Sequence, residues 1–294
     1  MFRSVRFYSV SSPWPASEYD LSENLQNAVF KPCGTYTEMS SGFEAPTGSA
    51  DAPLARRVNG VDLLQLRSQA RVLPMAAVNE ALEVRLAEYR ERMQEEPGRR
   101  TQRKLKEQTR DELLPKALLK SDRTLGLYIV AENVLAVGTA SESRAERFLE
   151  HLRAALGKLD VEPLKFSRPL EQMLRRTFAG DPPPKFALGR ECRMRDRADA
   201  KSSVRWQEVD LTQANVRKCV KDGMELTHLG IEFGGVMSAV FDTNGVIGKL
   251  KLLGLEEAAD DVEEEPLARF DAELALLGGT LRQLIGSLRK ALDD

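Results

Sequence analysis

The chain has 294 residues, 42% of them hydrophobic and 30% charged, and its 43 Lys and Arg face 45 Asp and Glu for a formal net charge of -2. This mixture excludes a disordered or fibrous chain and supplies material for a core, while the length points to about two domains or one elongated multi-lobed body. With so little net charge, an electrostatic partner has to be recruited by uneven distribution of charge.

In chain order, "SVRFYSV" at 4–10 is rich in β-branched and aromatic residues and predicts a strand. Ser17 then offers a cap for a helix carrying Leu21, Leu25 and Phe30. The stretch 31–60 is dense in Gly, Pro, Ser and Thr and predicts mostly loop with a short extended piece, followed by two short strands in "VDLLQLRS" and "ARVLP". After Pro74, apolar Val78, Leu82, Leu86, Tyr89 and Met93 recur every three or four residues, the mark of an amphipathic helix that should pack on a sheet. Pro97 and Gly98 interrupt it.

Directly beyond lies the most unbalanced charge in the chain. Between 98 and 117 the basic residues are Arg99, Arg100, Arg103, Lys104, Lys106, Arg110 and Lys116, against Glu107, Asp111 and Glu112. Leu105 stands alone as an apolar residue until Leu113 and Leu114, so a helix here has little to bury and projects, bridges or binds. Arg99, Arg103, Lys106 and Arg110 follow at steps of four, three and four, which aligns them along one side of a helix. At a rise of ~1.5 Å per residue that row is about 17 Å long. It lies opposite roughly ten phosphate charges of duplex DNA. Aromatic residues are absent from 90–127, so contact with the phosphate backbone fits better than stacking on bases.

Further on, "TLGLYIV" and "NVLAVGT" joined by "AEN" predict a hairpin, and "SRAE" at 143–146 has the form of a capping box before an amphipathic helix that ends at Gly157. "GDPPPK" at 180–185 is a linker or a sharp change of direction. The second half predicts a strand through "SSVRWQEVDL", a helix from Thr212 to Lys221, and strands in "ELTHLGIEF", "GVMSAVF" and "VIGKLKLLG", the last two closed by Asn244-Gly245. An acidic run, "EEAADDVEEEP", precedes a final helix with Phe270, Leu274, Leu277, Leu281, Leu284, Leu288 and Leu292, in which Gly278-Gly279 offer a place to bend. The fold class expected is α+β, antiparallel sheets with amphipathic helices. Three lobes are expected: an N-terminal α+β lobe over 1–75, a central lobe over 76–180 with the basic segment and the hairpin-helix unit, and a C-terminal α+β lobe over 181–294.

Chemistry finds little foothold. The N-terminus lacks the apolar stretch of a signal peptide and no run approaches the roughly 18 apolar residues of a membrane span, so a cytoplasmic location is expected. Cys33, Cys192 and Cys219 form no C-x-x-C pair and read as free thiols. His151 and His228 lie near no Cys or paired carboxylate at ligand spacing. No Gly-rich phosphate loop, His-Glu-x-x-His or nucleophile elbow occurs, and no cofactor or metal is expected. Asp260, Asp261, Glu263, Glu264 and Glu265 could in principle hold divalent cations for a nuclease, although adjacent loop carboxylates are usually just solvated.

Several segments together resemble a bacterial family, the recombination-associated protein RdgC. They are "FRSVRFYSV", "FKPCG" with "SGFEAPTG", "VLPMAAVNEAL", the basic stretch running into "LLPKAL", "AERFLEHLRAALGKLDVEPL", "FALGRECRM", "VRWQEVDLT" and "ARFDAELALL", in order over nearly the whole chain. The resemblance implies a non-enzymatic, nucleoid-associated protein whose two subunits close into a ring around double-stranded DNA, without sequence preference, and which restrains the recombinase RecA. It places Arg99, Arg100, Arg103, Lys106, Arg110 and Lys116 in the family's basic segment, and Leu118 where members often carry a Phe at a contact between subunits. The chain departs from the family pattern at Gln207, Glu208 and Met224, where basic residues are common. The DNA path implied therefore leans on residues 99–116, with Arg67, Arg71 and Arg205 as secondary contributors. Two rival readings stay open: a protein-interaction module that inhibits a recombination factor directly, and a metal-dependent nuclease.

Overall fold

The computed structural model describes residues 2–49, 51–199, 201–253 and 265–293. It is α+β, with a large antiparallel sheet and, among the described residues, seven α-helices. The chain divides into two compact units, each assembled from separate stretches. The first is 1–28, 45–65 and 124–294; the second is 29–44 and 66–123.

The first unit begins with β1 (Ser4–Val10) and α1 (Glu18–Leu25), whose Ser17 cap accepts a hydrogen bond from the Asp20 amide at 3.0 Å, as its sequence predicts. Then come β3 (Ala55–Val58), the first half of β4 (Val61–Val72), the second half of β5 (Leu118–Ile129), β6 (Val134–Val137), α4 (Glu142–Leu156), β7 (Val161–Pro163) and α5 (Leu170–Ala179). β8 (Phe186–Asp196), β9 (Ser203–Trp206), α6 (Ala214–Lys221), β10 (Met224–Phe233), β11 (Met237–Asp242), β12 (Ile247–Leu252) and α7 (Pro266–Leu292) complete it. The antiparallel order is β5-β6-β1-β12-β11-β10-β8-β9, with β7 beside β1 and β3 beside β4. β1 joins the two halves: Ser4 and Val5 pair with β12, and Arg6 to Ser9 pair with β6.

Residue patterns tell which sheet faces are covered. Every residue of β6, "VLAV", is buried, and β5 ends in Leu127, Tyr128 and Ile129, also buried in succession, the composition of strands packed on both faces. On one face Leu127, Ile129, Val134 and Ala136 join a core with Leu174, Leu281, Leu284 and Leu288 from α5 and α7. On the other, Phe148 of α4 lies so close to Gly126 that a Cβ there would sit 2.2 Å from the ring. In β11, "MSAVFD", buried and half-buried residues alternate strictly, so Met237, Ala239 and Phe241 point to the core and the other face is open to water.

Several expectations need correction. "VDLLQLRS" and "ARVLP" form one twelve-residue strand, β4, with Gln69 buried within it. The extended structure in 31–60 is two strands rather than one short piece: β3 and β2 (Met39–Glu44). The cap of α4 is Ser141, two residues ahead of the predicted Ser143, and accepts from the Arg144 amide. The strand through 202–211 is only Ser203–Trp206, because the chain turns at Glu208, whose φ is 52°. α7 is one continuous helix; Gly278 serves close approach, since a Cβ there would meet the Val61 side chain at 2.8 Å. The acidic run of 256–264 lies outside the described residues.

The second unit holds β2 (Met39–Glu44) beside the distal half of β4, which in turn neighbours β5, together with α2 (Met75–Met93) and α3 (Arg99–Leu113). α2 ends where Gln94 adopts a left-handed φ of 52°, three residues before Pro97. Its apolar face is only partly used: Val78 and Leu86 are buried, Leu82 and Tyr89 are half-buried and Met93 is exposed. α2 packs against α3, and Arg85 bridges to Glu112 across the pair.

Candidate nucleic-acid interface

α3 is the helix its charge pattern predicts. Gly98 precedes it, and Gln102 fastens the entry by donating from Nε2 to the Pro97 carbonyl at 2.9 Å. The helix rests on one narrow seam: Thr109 is buried and donates back to the Leu105 carbonyl at 2.7 Å, while Leu105 and Leu113 are half-buried. At 100° per residue the row Arg99, Arg103, Lys106 and Arg110 runs along the flank beside that seam, and Arg100 and Lys104 project further outward. All are exposed except Lys106, which is half-buried at the seam's edge. Arg103 pairs with Glu107 at 3.1 Å and Arg110 with Glu38 at 2.7 Å; among the described residues no ion pair reaches Arg99, Arg100, Lys104 or Lys106. Lys116 is exposed in the turn that follows, and Leu118, at the first position of β5, is 81% exposed.

Arg67 and Arg71 stand in the same unit but are already engaged. Arg67 bonds Glu44 and Ser121, and its guanidinium lies 4.5 Å from the Phe30 ring centre. Arg71 donates from Nη1 to the carbonyls of Leu114, Pro115 and Ala117 at 3.1–3.3 Å and from Nη2 to that of Gly34. It thereby fixes the exit of α3.

Arg205 belongs to the first unit, on the open face of β8–β12. It pairs there with Glu191 at 2.8 Å, and Lys249 meets the other oxygen of the same carboxylate. Burial alone would raise the Glu191 carboxyl, but hydrogen bonds from Lys249 and Arg205 outweigh it and hold it below the usual carboxylate range. The amide oxygen of Gln207 can turn to both cations, at 3.1 and 3.0 Å. Two shallow depressions of about 740 and 330 Å³ meet at this cluster; Arg3, Arg190 and Lys251 line one, Arg6, Arg193 and His228 the other. His228 is held below its ordinary value by burial, against the pull of Asp242.

Among these cations the sequence pattern singles out only Arg205. Arg193 and Arg195 alternate with buried Cys192 and Met194 along β8, a period-two signal that could have found them. Lys249 carries no such signal. It sits at φ 51° in an irregularity where Val240 pairs with Gly248 but Ser238 pairs with Lys251, so its orientation depends on a distant strand.

The cysteines and histidines fit structural roles. Burial, with Cys219 and Glu191 nearby, raises the Cys192 thiol to about 12. His151 bonds the Arg147 carbonyl within α4. Among the described residues no group of three or more His, Cys, Asp or Glu could hold a metal; of the candidate carboxylates only Glu265 is described, beside the start of α7. No helix among the described residues is long and apolar enough to cross a membrane.

A family model described as "Putative exonuclease, RdgC" matches residues 1–294. The chain belongs to the RdgC family. Among curated members, the recombination-associated protein RdgC of Stenotrophomonas maltophilia is 30% identical and that of Shewanella oneidensis 28%, each over 99% of this chain and 97% of the relative. The RdgC family model and these relatives thus carry different words, exonuclease in one and recombination-associated in the others.

Proposed function

We propose that this member of the RdgC family binds double-stranded DNA through its phosphates, without sequence preference, as a homodimer closing into a ring around the duplex, and that it restrains RecA by occupying DNA. The reading is non-enzymatic and puts the protein on the nucleoid. The observation that carries it is the row of Arg99, Arg103, Lys106 and Arg110 along the flank of an exposed helix that buries almost nothing else.

The ion pairs of Arg103 and Arg110 do not compete seriously with DNA. Both are exposed on each side, and exposed pairs contribute about 0–1 kcal/mol. Each phosphate neutralised releases a condensed counterion, so several contacts together outweigh pairs of that size. The open face of β8–β12, with Arg193, Arg205, Lys249 and Lys251, offers a second cationic surface. Pairing of subunits would double both and add retention by topology. Leu118 and its exposed neighbour Leu119 supply apolar area for that contact.

Replacing Arg99, Arg103, Lys106 and Arg110 together by Glu should lower duplex affinity by at least about a hundredfold at ~50 mM salt with the fold intact. Undiminished retention at that salt would refute the assignment. Incubating end-labelled duplex with the protein and Mg²⁺ or Mn²⁺ should leave it uncut; shortening that tracks the protein would support the exonuclease reading.

A further inference from the structure

A depression of about 390 Å³ in the first unit lies between α5, α6 and the start of β10, away from the Glu191 cluster. Its floor is apolar: Phe178 and Leu226 are 5% and 4% exposed, while Val220 and Met224 form an open wall at 41% exposed and half-buried. Its rim is basic, with Arg175, Arg197, Arg217 and Lys221.

One of the four rim residues is held in place and the other three are free to turn toward a ligand. The Arg217 guanidinium lies 4.6 Å from the Phe178 ring centre, and its Nε donates to the Leu211 carbonyl at 3.2 Å. Arg175 pairs with Glu171 and Arg197 with Glu225, the one acidic residue of the lining, but both arginines are more than half exposed, where such pairs contribute little. Lys221 makes no ion pair among the described residues.

The occupant follows from this chemistry. A phosphate backbone would satisfy the rim and leave the apolar wall facing water. A nucleic-acid base would want an aromatic face, and Arg217 already covers that of Phe178. A wholly apolar ligand would make no use of the four cations of the rim. We propose that the depression docks an acidic segment of a partner protein, with one apolar side chain entering between Val220, Met224 and Leu226 while carboxylates meet the rim. The proposal goes beyond DNA binding, because it uses other elements than α3 and other chemistry than phosphate.

The test is fluorescence anisotropy of the full chain with a labelled short peptide of Asp and Glu carrying a single central Leu. Saturable binding is expected, weakened at least about tenfold when the Leu is replaced by Ser or the acids by their amides. The double substitution Val220→Ser with Met224→Ser should weaken it similarly, and Lys221→Gln, a surface change that leaves the floor intact, by a few-fold. Duplex affinity should stay unchanged in both variants. No saturable binding by the parent chain, or binding indifferent to the Leu, overturns the proposal. Equal loss of duplex and peptide binding overturns it too, by making this a DNA surface. So does tighter peptide binding after Glu256→Gln, Glu257→Gln, Asp260→Asn and Asp261→Asn, which would make the chain's own acidic run the occupant.

Discussion

In the first unit Leu127, Ile129, Val134, Phe148, Leu281 and Leu284 are all fully buried, covered by α4, α5 and α7. In the second, Tyr36, Met39, Val72, Met75, Val84, Met93, Leu118 and Leu119 are exposed, eight of the fifteen exposed large hydrophobic side chains among the described residues. That unit holds about a quarter of the chain. One unit thus spends its apolar residues on its own stability and the other displays them beside its densest positive charge. Under the proposed function these side chains would supply apolar area for contact with a partner. Such a display is what a unit built to meet a second subunit and a duplex would carry.

Removing a core ring strikes this contrast at its strongest point. Phe148→Ala should cost the first unit about 3 to 5 kcal/mol. The Tm by calorimetry should fall accordingly, and an unchanged Tm would mean that this core is not the stabilising one. The matching change in the second unit, Leu118→Asp with Leu119→Asp, should leave the Tm of the subunit nearly unchanged yet weaken self-association at least about tenfold by sedimentation. Unaffected self-association would exclude this patch as the proposed subunit contact.

Smaller effects sharpen the same contrast. Ser141→Ala removes the α4 cap and should cost about 1 kcal/mol in urea unfolding, since the helix it starts covers Gly126. Glu191→Gln should cost less still and show a pH signature. The Glu191 carboxyl is held below its ordinary value, so its pairing stabilises the fold above about pH 4.3 and stops doing so as pH falls through the lowered value. The gap between parent and variant should therefore be present at neutral pH and close in acid. A gap that widens in acid would contradict the pairing. The same variant frees Arg205 and Lys249, so it should raise duplex affinity slightly if the open sheet face touches DNA.

Local pattern carries most of what is legible in the sequence. β1, the Ser17 cap, the hairpin of β11 and β12, α3 and α7 each announce themselves within a few residues. α5 and β8 do not. α5 follows Pro169 without a side-chain cap, and only the spacing of Leu170, Met173, Leu174, Thr177 and Phe178 marks it. β8 carries Arg and Glu on its open face, which reads as polar loop unless the alternation is followed residue by residue. The candidate site divides in the same way. The row on α3 lies in one contiguous stretch, so helical geometry alone aligns it. The cluster of Glu191, Arg205 and Lys249 comes from three strands and a shifted register, a relation set by pairing across the sheet and invisible in any one of them. Arg71 shows the opposite limit: its charge suggests DNA, and its geometry ties it to three carbonyls at the exit of α3 and to that of Gly34.

Whether the cations on α3 grip phosphates is tested most directly by the salt dependence of duplex affinity. With Arg99, Arg103, Lys106 and Arg110 neutralised to Gln, the slope of log affinity against log salt should become shallower by about three to four, close to 0.9 for each phosphate no longer neutralised. A slope identical to that of the parent chain would show that these four residues do not touch the DNA.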